Sequence, residues 1–388
     1  MRGSRADMGV SIDEQVTESA AILTVNAGSS SFRLDLVEGG CVLDTVRTER
    51  VVDAGSARRE LSSFLGGHFG RDIRAVAHRL LHGGDLVRAP TVADDETAEG
   101  LRGLTGLAPL HLPPALALLD AARAELPALP HVLCPDTAFH ADLPEEAAVY
   151  PLPLSWRERY GLRRYGFHGL SYAWAADRVA ELLGRPPAEL DLVLTHLGGG
   201  CSVCAVSGGR SLDTSMGFTP LEGLPMSRRS GSVDPGMLMW LLGSGHLTVA
   251  ELSEGLERRS GLLGLSGGFS GDTRELVAAA REGDSAAELA LEVFSHRVAR
   301  EIAASATSLR RIDALVFTGE IGWDQPEVRE AVCARLGLLG IEPPALGNRH
   351  DDGPVSAYDA AVPVMVVQVR EELQLARECL RVLAEEDA

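Results

Sequence analysis

The chain contains no lysine: all 36 of its basic residues are arginine. That absence excludes a Walker-type phosphate-loop lysine, a Schiff-base lysine and a lysine general base. Any phosphate must be held by arginine forks, backbone N–H groups or a metal. Positive charge is scarce overall, with a formal net charge of −19 over 388 residues. Such a balance disfavours nucleic acid and anionic membranes as partners, without excluding a local basic pocket. No apolar run approaches the roughly 20 residues that span a bilayer. Residues 1–20 mix Arg, Asp, Glu, Ser and Thr without an apolar stretch, and read as a flexible tail rather than a secretory signal. A Gly-x-Ser-x-Gly nucleophile elbow is not expected, and no His-Glu-x-x-His occurs, so acyl-enzyme chemistry and zinc hydrolysis are disfavoured.

Cysteine is sparse too, at Cys41, Cys134, Cys201, Cys204, Cys333 and Cys379. Cys201 and Cys204 form a C-x-x-C, but inside an expected strand they face opposite sides, and no second ligand pair accompanies them. Reduced thiols in a cytoplasmic setting are the expectation.

What the chain does have is one strand–turn–strand pattern written twice. Ile22-Leu-Thr-Val-Asn26-Ala-Gly28-Ser-Ser-Ser31-Phe-Arg33 leads to a turn at Gly39-Gly40. Leu192-Val-Leu-Thr-His196-Leu197-Gly198-Gly199-Gly200 leads to a turn at Gly208-Gly209. Gly28 and Gly198 are 170 residues apart, and Gly39 and Gly208 are 169. Small residues after a buried strand expose backbone N–H groups that can form an anion nest. Two ordinary hairpins would give the same pattern. Length favours two domains, and a hydrophobic content of 45% supplies a core for each.

Apolar runs alternate with helical segments, the mark of an α/β fold. Val132-Leu-Cys runs into Pro135-Asp136, Leu315-Val-Phe317 into Thr318-Gly319, and the strand Val362–Val369 into Arg370-Glu371. In open α/β sheets, ligands sit at such strand carboxyl ends. Helical spacing runs over Ala115–Leu126 and Ala287–Leu309. In the final segment it puts Leu373, Ala376, Leu380 and Leu383 on one face. Glu371 then falls in a first helical turn, where a carboxylate suits the helix dipole or a metal. Residues 342–358 read as loop, and 141–165 as a Pro-broken connection.

Histidine, arginine and glycine concentrate in His78-Arg79-Leu-Leu-His82-Gly-Gly84, His111, Asp136-Thr-Ala-Phe-His140, Arg164-Tyr-Gly-Phe-His168-Gly169, Asp213–Gly223 and Arg228-Arg229. Arginine, histidine, carboxylate and anion nests form the inventory that phosphoryl transfer needs. Its transition state spreads charge over three equatorial oxygens, so catalysis is mostly positioning and electrostatics.

Those blocks, with Leu107-Ala-Pro-Leu-His111 and Ser260–Gly267, resemble the acetate kinases, in the superfamily of sugar kinases and actin. The likeness runs from about Ala21 to Leu383. It implies an α/β fold of two duplicated ribonuclease-H-like domains with an active-site cleft between them, here residues 21–142 plus 371–388 and residues 143–370. It further implies reversible transfer from ATP to acetate giving ADP and acetyl phosphate, Mg²⁺ dependence, a cytoplasmic homodimer, and no nucleic-acid or membrane partner. By matched position, Asn26 and Glu371 would hold the metal, and Arg33 would stand near the nucleotide phosphates in place of a lysine. Arg79 and Arg229 would grip the carboxylate and the phosphoryl group. Asp136 would position the reacting groups, His168 would donate to the phosphoryl, and His111 would assist. Leu81, Leu110, Phe167 and Pro220 would line the acyl pocket.

The departures from the family pattern gather on the nucleotide side, among His196, Leu197, Gly198, Gly199, Gly200, Asp272, Thr273, Arg274, Glu320, Ile321, Gly322, Trp323 and Asp324. Gly199 stands where an Asn is usual, Glu320 where a Gly is usual, and Asp324 where an Asn is usual. Thr273 replaces a bulkier residue. Ser227-Arg228 replaces Gly-Thr. These leave the donor open between ATP and pyrophosphate or another phosphate. A non-catalytic sensor that kept the fold is the third alternative.

Overall fold

The computed structural model describes residues 21–28, 31–48, 54–68, 71–108, 111–344 and 351–386. The expected tail, Ser29, Ser30 and Leu110 lie outside them. The chain divides into two compact units, one ending at Ala138 and resuming at Glu371, the other Phe139–Arg370.

The first unit is built on a six-stranded sheet ordered β3-β2-β1-β4-β6-β5. Its strands are β1 (Ala21–Ala27), β2 (Phe32–Glu38), β3 (Cys41–Thr48), β4 (Ile73–Leu80), β5 (Thr91–Val92) and β6 (His131–Pro135). The second sheet is ordered β11-β12-β10-β7-β8-β9. It comprises β7 (Asp191–Leu197), β8 (Cys201–Ser207), β9 (Arg210–Thr214), β10 (Ala314–Thr318), β11 (Gly353–Pro354) and β12 (Val364–Val366). Reading the second order backwards reproduces the first, strand for strand. In both, the first three strands are antiparallel and the next two join in parallel. The twice-written pattern is therefore a duplicated α/β unit.

Local chemistry explains the copies. β1 and β7 are apolar on both faces because each pairs with a parallel neighbour and an antiparallel one in mid-sheet. Each following hairpin turns on two glycines with positive φ: Gly39 (58°) and Gly40 (72°), then Gly208 (59°) and Gly209 (78°). A two-residue turn with both central φ values positive matches the twist of its strands, and glycine adopts it without strain.

Four expectations change. The last helix, Glu371–Glu386, buries Glu372, Leu375, Ala376, Cys379 and Val382 rather than the leucine stripe. Its buried face packs on β1, β2, β4 and β6, and includes Glu372 because Arg33 Nη1 reaches that carboxylate at 3.3 Å. The long helix, Ser285–Ala306, stops before Leu309, where Thr307 becomes the C-cap. β12 is three residues long, because its register with β10 covers only Leu315–Phe317. The stretch 141–165 holds two short helices, Glu145–Ala148 and Leu154–Tyr160, each entered through a proline.

His140 ties the second unit's core together. It is fully buried, its Nε2 donates to the Phe167 carbonyl at 3.0 Å, and its Nδ1 accepts from Ser211 Oγ at 2.8 Å. Burial, with the charge of Arg164 adding, pushes its pKa down from 6.5 to about 4 against the opposing bond to Phe167. The unfolded chain therefore binds the extra proton first as pH falls. Stability from this group is intact above pH 6.5 and is lost progressively toward pH 4. The loss amounts to about 3 kcal/mol. Urea titrations of wild type and His140→Gln from pH 7 to 4 check this: the variant should show a shallower slope, and equal slopes would refute it.

Candidate active site

In the first unit the carboxyl ends of the parallel strands carry the reactive groups. Asn26 sits near the end of β1, Arg79 near the end of β4, and Asp136 directly after β6. Glu371 opens the last helix. Arg79 meets Asp136 through both forks, Nε to Oδ1 at 3.0 Å and Nη2 to Oδ2 at 2.7 Å. Its Nη1 donates to Asn26 Oδ1 at 3.0 Å and lies 3.2 Å from Glu371 Oε2. Asn26 Nδ2 donates to the same Glu371 oxygen at 2.9 Å. Burial alone would lower the Arg79 pKa, but Asp136 and Glu371 outweigh it and raise it. Two carboxylates surround one guanidinium, so the cluster is formally −1.

That donor set fits a divalent ion. Oxygen ligands and an excess negative charge suit Mg²⁺, which takes one or two carboxylates and keeps waters and phosphates for its remaining positions. Glu371 Oε1 takes no part in the bonds above. Among the described residues, no cluster of three His, Cys, Asp or Glu offers a cage of protein ligands alone. Arg33 is engaged elsewhere in the same unit, with Asp35 Oδ1 at 2.7 Å and Glu372. His111 and Leu81 are half-buried in this unit, at the start of a helix and just past β4.

In the second unit, His168 has a φ of 61°, the one positive value among described residues other than glycine. It stands as N-cap of the helix Gly169–Leu183. Backbone in this region costs about 1–3 kcal/mol and collects at functional sites. Its ring stacks on His196, with centroids 4.1 Å apart. Its Nδ1 lies 2.8 Å from Ser202 Oγ. His196 Nδ1 in turn meets Ser171 Oγ at 2.9 Å.

Gly200 marks where the reactive groups converge. A Cβ placed there would lie 3.0 Å from His168 Nε2 and 3.8 Å from Arg229 Nη2. Arg229 is partly buried and donates Nη1 to the Pro220 carbonyl at 2.8 Å. Among the described residues, no carboxylate pairs with it. Burial lowers its pKa, yet a guanidinium keeps its proton. Glu257 acts on it only from beyond ion-pair distance, and a guanidinium that no carboxylate meets directly suits an anion. Pro220 is half-buried, while Phe167 is fully buried.

A cavity of about 840 Å³ opens beside this point, touching Gly198, Gly199, Ser227 and Arg228. Asp272, Thr273, Arg274, Glu320, Ile321, Trp323 and Asp324 line it too. Leu197 and Gly322 are buried behind it, and neither faces the cavity. Asp272 caps the helix Thr273–Arg281 and clamps the Arg274 guanidinium, with Nη2 at 2.6 Å. That bond to Arg274 lowers the Asp272 pKa.

The glycine this turn cannot replace is Gly319, not position 320. Its φ is 81°, and a Cβ would come within 2.3 Å of the Leu197 carbonyl oxygen. Glu320 is exposed on the cavity rim, so its bulk does not separate backbone from backbone. Gly199 faces open space. One sequence expectation fails: Gly264-Leu-Ser-Gly-Gly268 does have Gly-x-Ser-x-Gly spacing. Ser266 there follows a short helix rather than a strand, and its hydroxyl donates to the Ser270 carbonyl at 2.9 Å, so it is no nucleophile elbow. Cys201 and Cys204 are buried thiols pushed up to about 12 by that burial. Reading the sequence missed Ser171 and Tyr172, in the first turn of the helix Gly169–Leu183, and Ser202, which pairs with His196 across β7 and β8.

The acetokinase family model matches residues 56–377. An acetate kinase of Deinococcus deserti is 46% identical over 316 residues, covering 80% of this chain and 79% of that protein. One from Leifsonia xyli is 42% identical over 398 aligned residues, covering 94% and 99%. The crystal structure of Porphyromonas gingivalis acetate kinase superposes with a TM-score of 0.85 at 32% identity, over 94% of this chain and all of that one. A propionate kinase from Francisella tularensis gives 0.84 at 31% identity, over 92% and 98%. With its two duplicated sheets and this match across most of its length, this chain belongs to the acetokinase family.

Proposed function

We propose that the protein is an acetate kinase, moving the terminal phosphoryl group of ATP to acetate and back. The observation that carries the reading is Arg229: a partly buried guanidinium that forms no ion pair among the described residues and that converges with His168 Nε2 on Gly200, beside a large cavity. Acetate is ionised at neutral pH, so a carboxylate oxygen attacks phosphorus as the bond to ADP breaks, and no strong base is required. Arg229 and His168 donate to the equatorial oxygens as charge spreads over them. Asp136 and Asn26 hold Arg79 in place. Glu371 and Asn26 would hold Mg²⁺, which when bound offsets phosphate charge. Leu81, Leu110, His111, Phe167 and Pro220 remain the proposed acyl-side residues.

ATP is favoured over pyrophosphate on volume and charge. A cavity of 840 Å³ is of the size that takes drug-sized ligands, about 300–1,000 Å³. Glu320 and Asp324 on its wall can accept from ribose hydroxyls but repel a bare polyanion, while Asp272 is already paired with Arg274. A homodimer has support in the helix Pro235–Gly243, which buries none of its residues and exposes Met237, Met239, Trp240 and Leu242. A cytoplasmic setting rests on six free cysteines, five of them buried. Among the described residues, no helix is long and apolar enough to cross a membrane.

Hydroxamate trapping of acetyl phosphate with a panel of donors tests the reading. Turnover with ATP and Mg²⁺ but not with pyrophosphate is the expected result. Turnover with pyrophosphate alone would replace the donor, and no product with any donor would leave a sensor.

A further inference from the structure

We infer that Tyr172 and Ser202 hold the proton of His168 on Nε2, keeping the ring a neutral donor aimed at Gly200. The inference rests on the phosphoryl-transfer reading for its purpose but not for its geometry. All three residues lie in the second unit. Burial holds the Tyr172 phenol well above its usual pKa, against a smaller opposing effect from the His196 backbone, so it keeps its proton. Among the described residues, the side-chain oxygen bonded to that phenol is Ser202 Oγ, at 2.5 Å, and it takes the proton.

Ser202 bonds to Tyr172 and to His168 Nδ1, at 2.5 and 2.8 Å. Having accepted from the phenol, it gives its own proton to Nδ1. An imidazole nitrogen that accepts carries no hydrogen, so in the neutral ring the hydrogen is on Nε2. Nε2 is the atom nearest a Cβ on Gly200. The left-handed backbone of His168 and its stack on His196 restrict the ring's other orientations. Tyr172 and Ser202 are thus positioning residues that act through His168. Their directed hydroxyls suit a site where donors must point at the phosphoryl before charge develops.

Nitrogen-15 NMR of the full-length protein with labelled histidine reads the tautomer directly, with His168→Gln assigning the signal. The wild type should show Nε2–H. Ser202→Ala and Tyr172→Phe each remove one oxygen; both should shift the ring toward Nδ1–H, and Ser202→Thr should restore Nε2–H. In parallel, kcat should fall about 10- to 100-fold in the first two, the scale of losing a group that orients a histidine, with the acetate KM little changed. An Nδ1–H wild type, or a tautomer indifferent to Ser202→Ala, would overturn the inference. Tautomer shifts in a protein without acetate kinase turnover would uphold it and sink the functional reading instead.

Discussion

Replacing Arg229 with alanine should lower kcat about a thousandfold to a hundred-thousandfold, the scale on which arginines stabilise a transferring phosphoryl group. The argument is one of compensation. Arg79 already faces Asp136 and Glu371, whereas Arg229 touches only the Pro220 carbonyl among the contacts above. Its charge is therefore free for an anion, and it shares Gly200 with His168 Nε2. Because the bond described for it is to a carbonyl and no ion pair is broken among the described residues, the urea midpoint of Arg229→Ala should fall less than that of Asp136→Asn. Arg229→Lys should recover little, since an ammonium is a point charge and cannot grip two oxygens at once. Steady-state kinetics with acetate and ATP check the prediction. Near-normal turnover would remove Arg229 from the reaction.

Asp136→Asn should damage both stability and rate. Asp136 is fully buried, and the Arg79 side chain is 16% exposed, so the pair is screened little by water. Removing one partner of such a pair costs about 3–5 kcal/mol, because the other charge stays behind. The lower end applies here, since Glu371 still faces Arg79 at 3.2 Å. Loss of the fork also removes two of the bonds that orient Arg79, and a shift of about 1 Å in a catalytic group can cost a hundredfold in rate. The double variant Arg79→Met, Asp136→Leu separates the effects. It should recover stability, because apolar residues tolerate that burial, and recover no activity. An Asp136→Asn protein with the wild-type urea midpoint would refute the buried-pair argument.

Much of this was legible in the sequence because it is written in backbone terms. A buried run that stops at Asn26 or His196, followed by a double-glycine hairpin, determines strand, turn and neighbour together. Two such units at equal spacing imply two sheets of one topology. Arg79 and Asp136 were legible as strand-end residues, and their pairing followed from β4 and β6 lying side by side. What the pattern did not reveal depends on register and depth. Glu372 lies on the buried face of the last helix, where a hydrophobic stripe was expected, because a distant arginine meets it. Ser202 matters because it stands opposite His196 across the β7–β8 ladder, a relation no spacing within one strand contains. Glu320 is a departure in letter only, since the backbone constraint falls on its neighbour Gly319.

The interrupted first unit has a consequence for how the protein is made. Asn26 and Glu371 are hydrogen-bonded across 345 residues of chain. Synthesis delivers the N-terminus first, and domains generally fold as units while the chain emerges. The continuous segment Phe139–Arg370 is therefore complete before the first sheet receives its covering helix. The unit encoded first is the last to be finished. Until Glu371 emerges, β1, β4 and β6 lack one of their two carboxylates and the apolar face that covers them. The nascent protein can complete the unit that carries His168 and Arg229 well before the unit that carries Arg79, whose Asn26–Glu371 bond forms only once the last helix has begun.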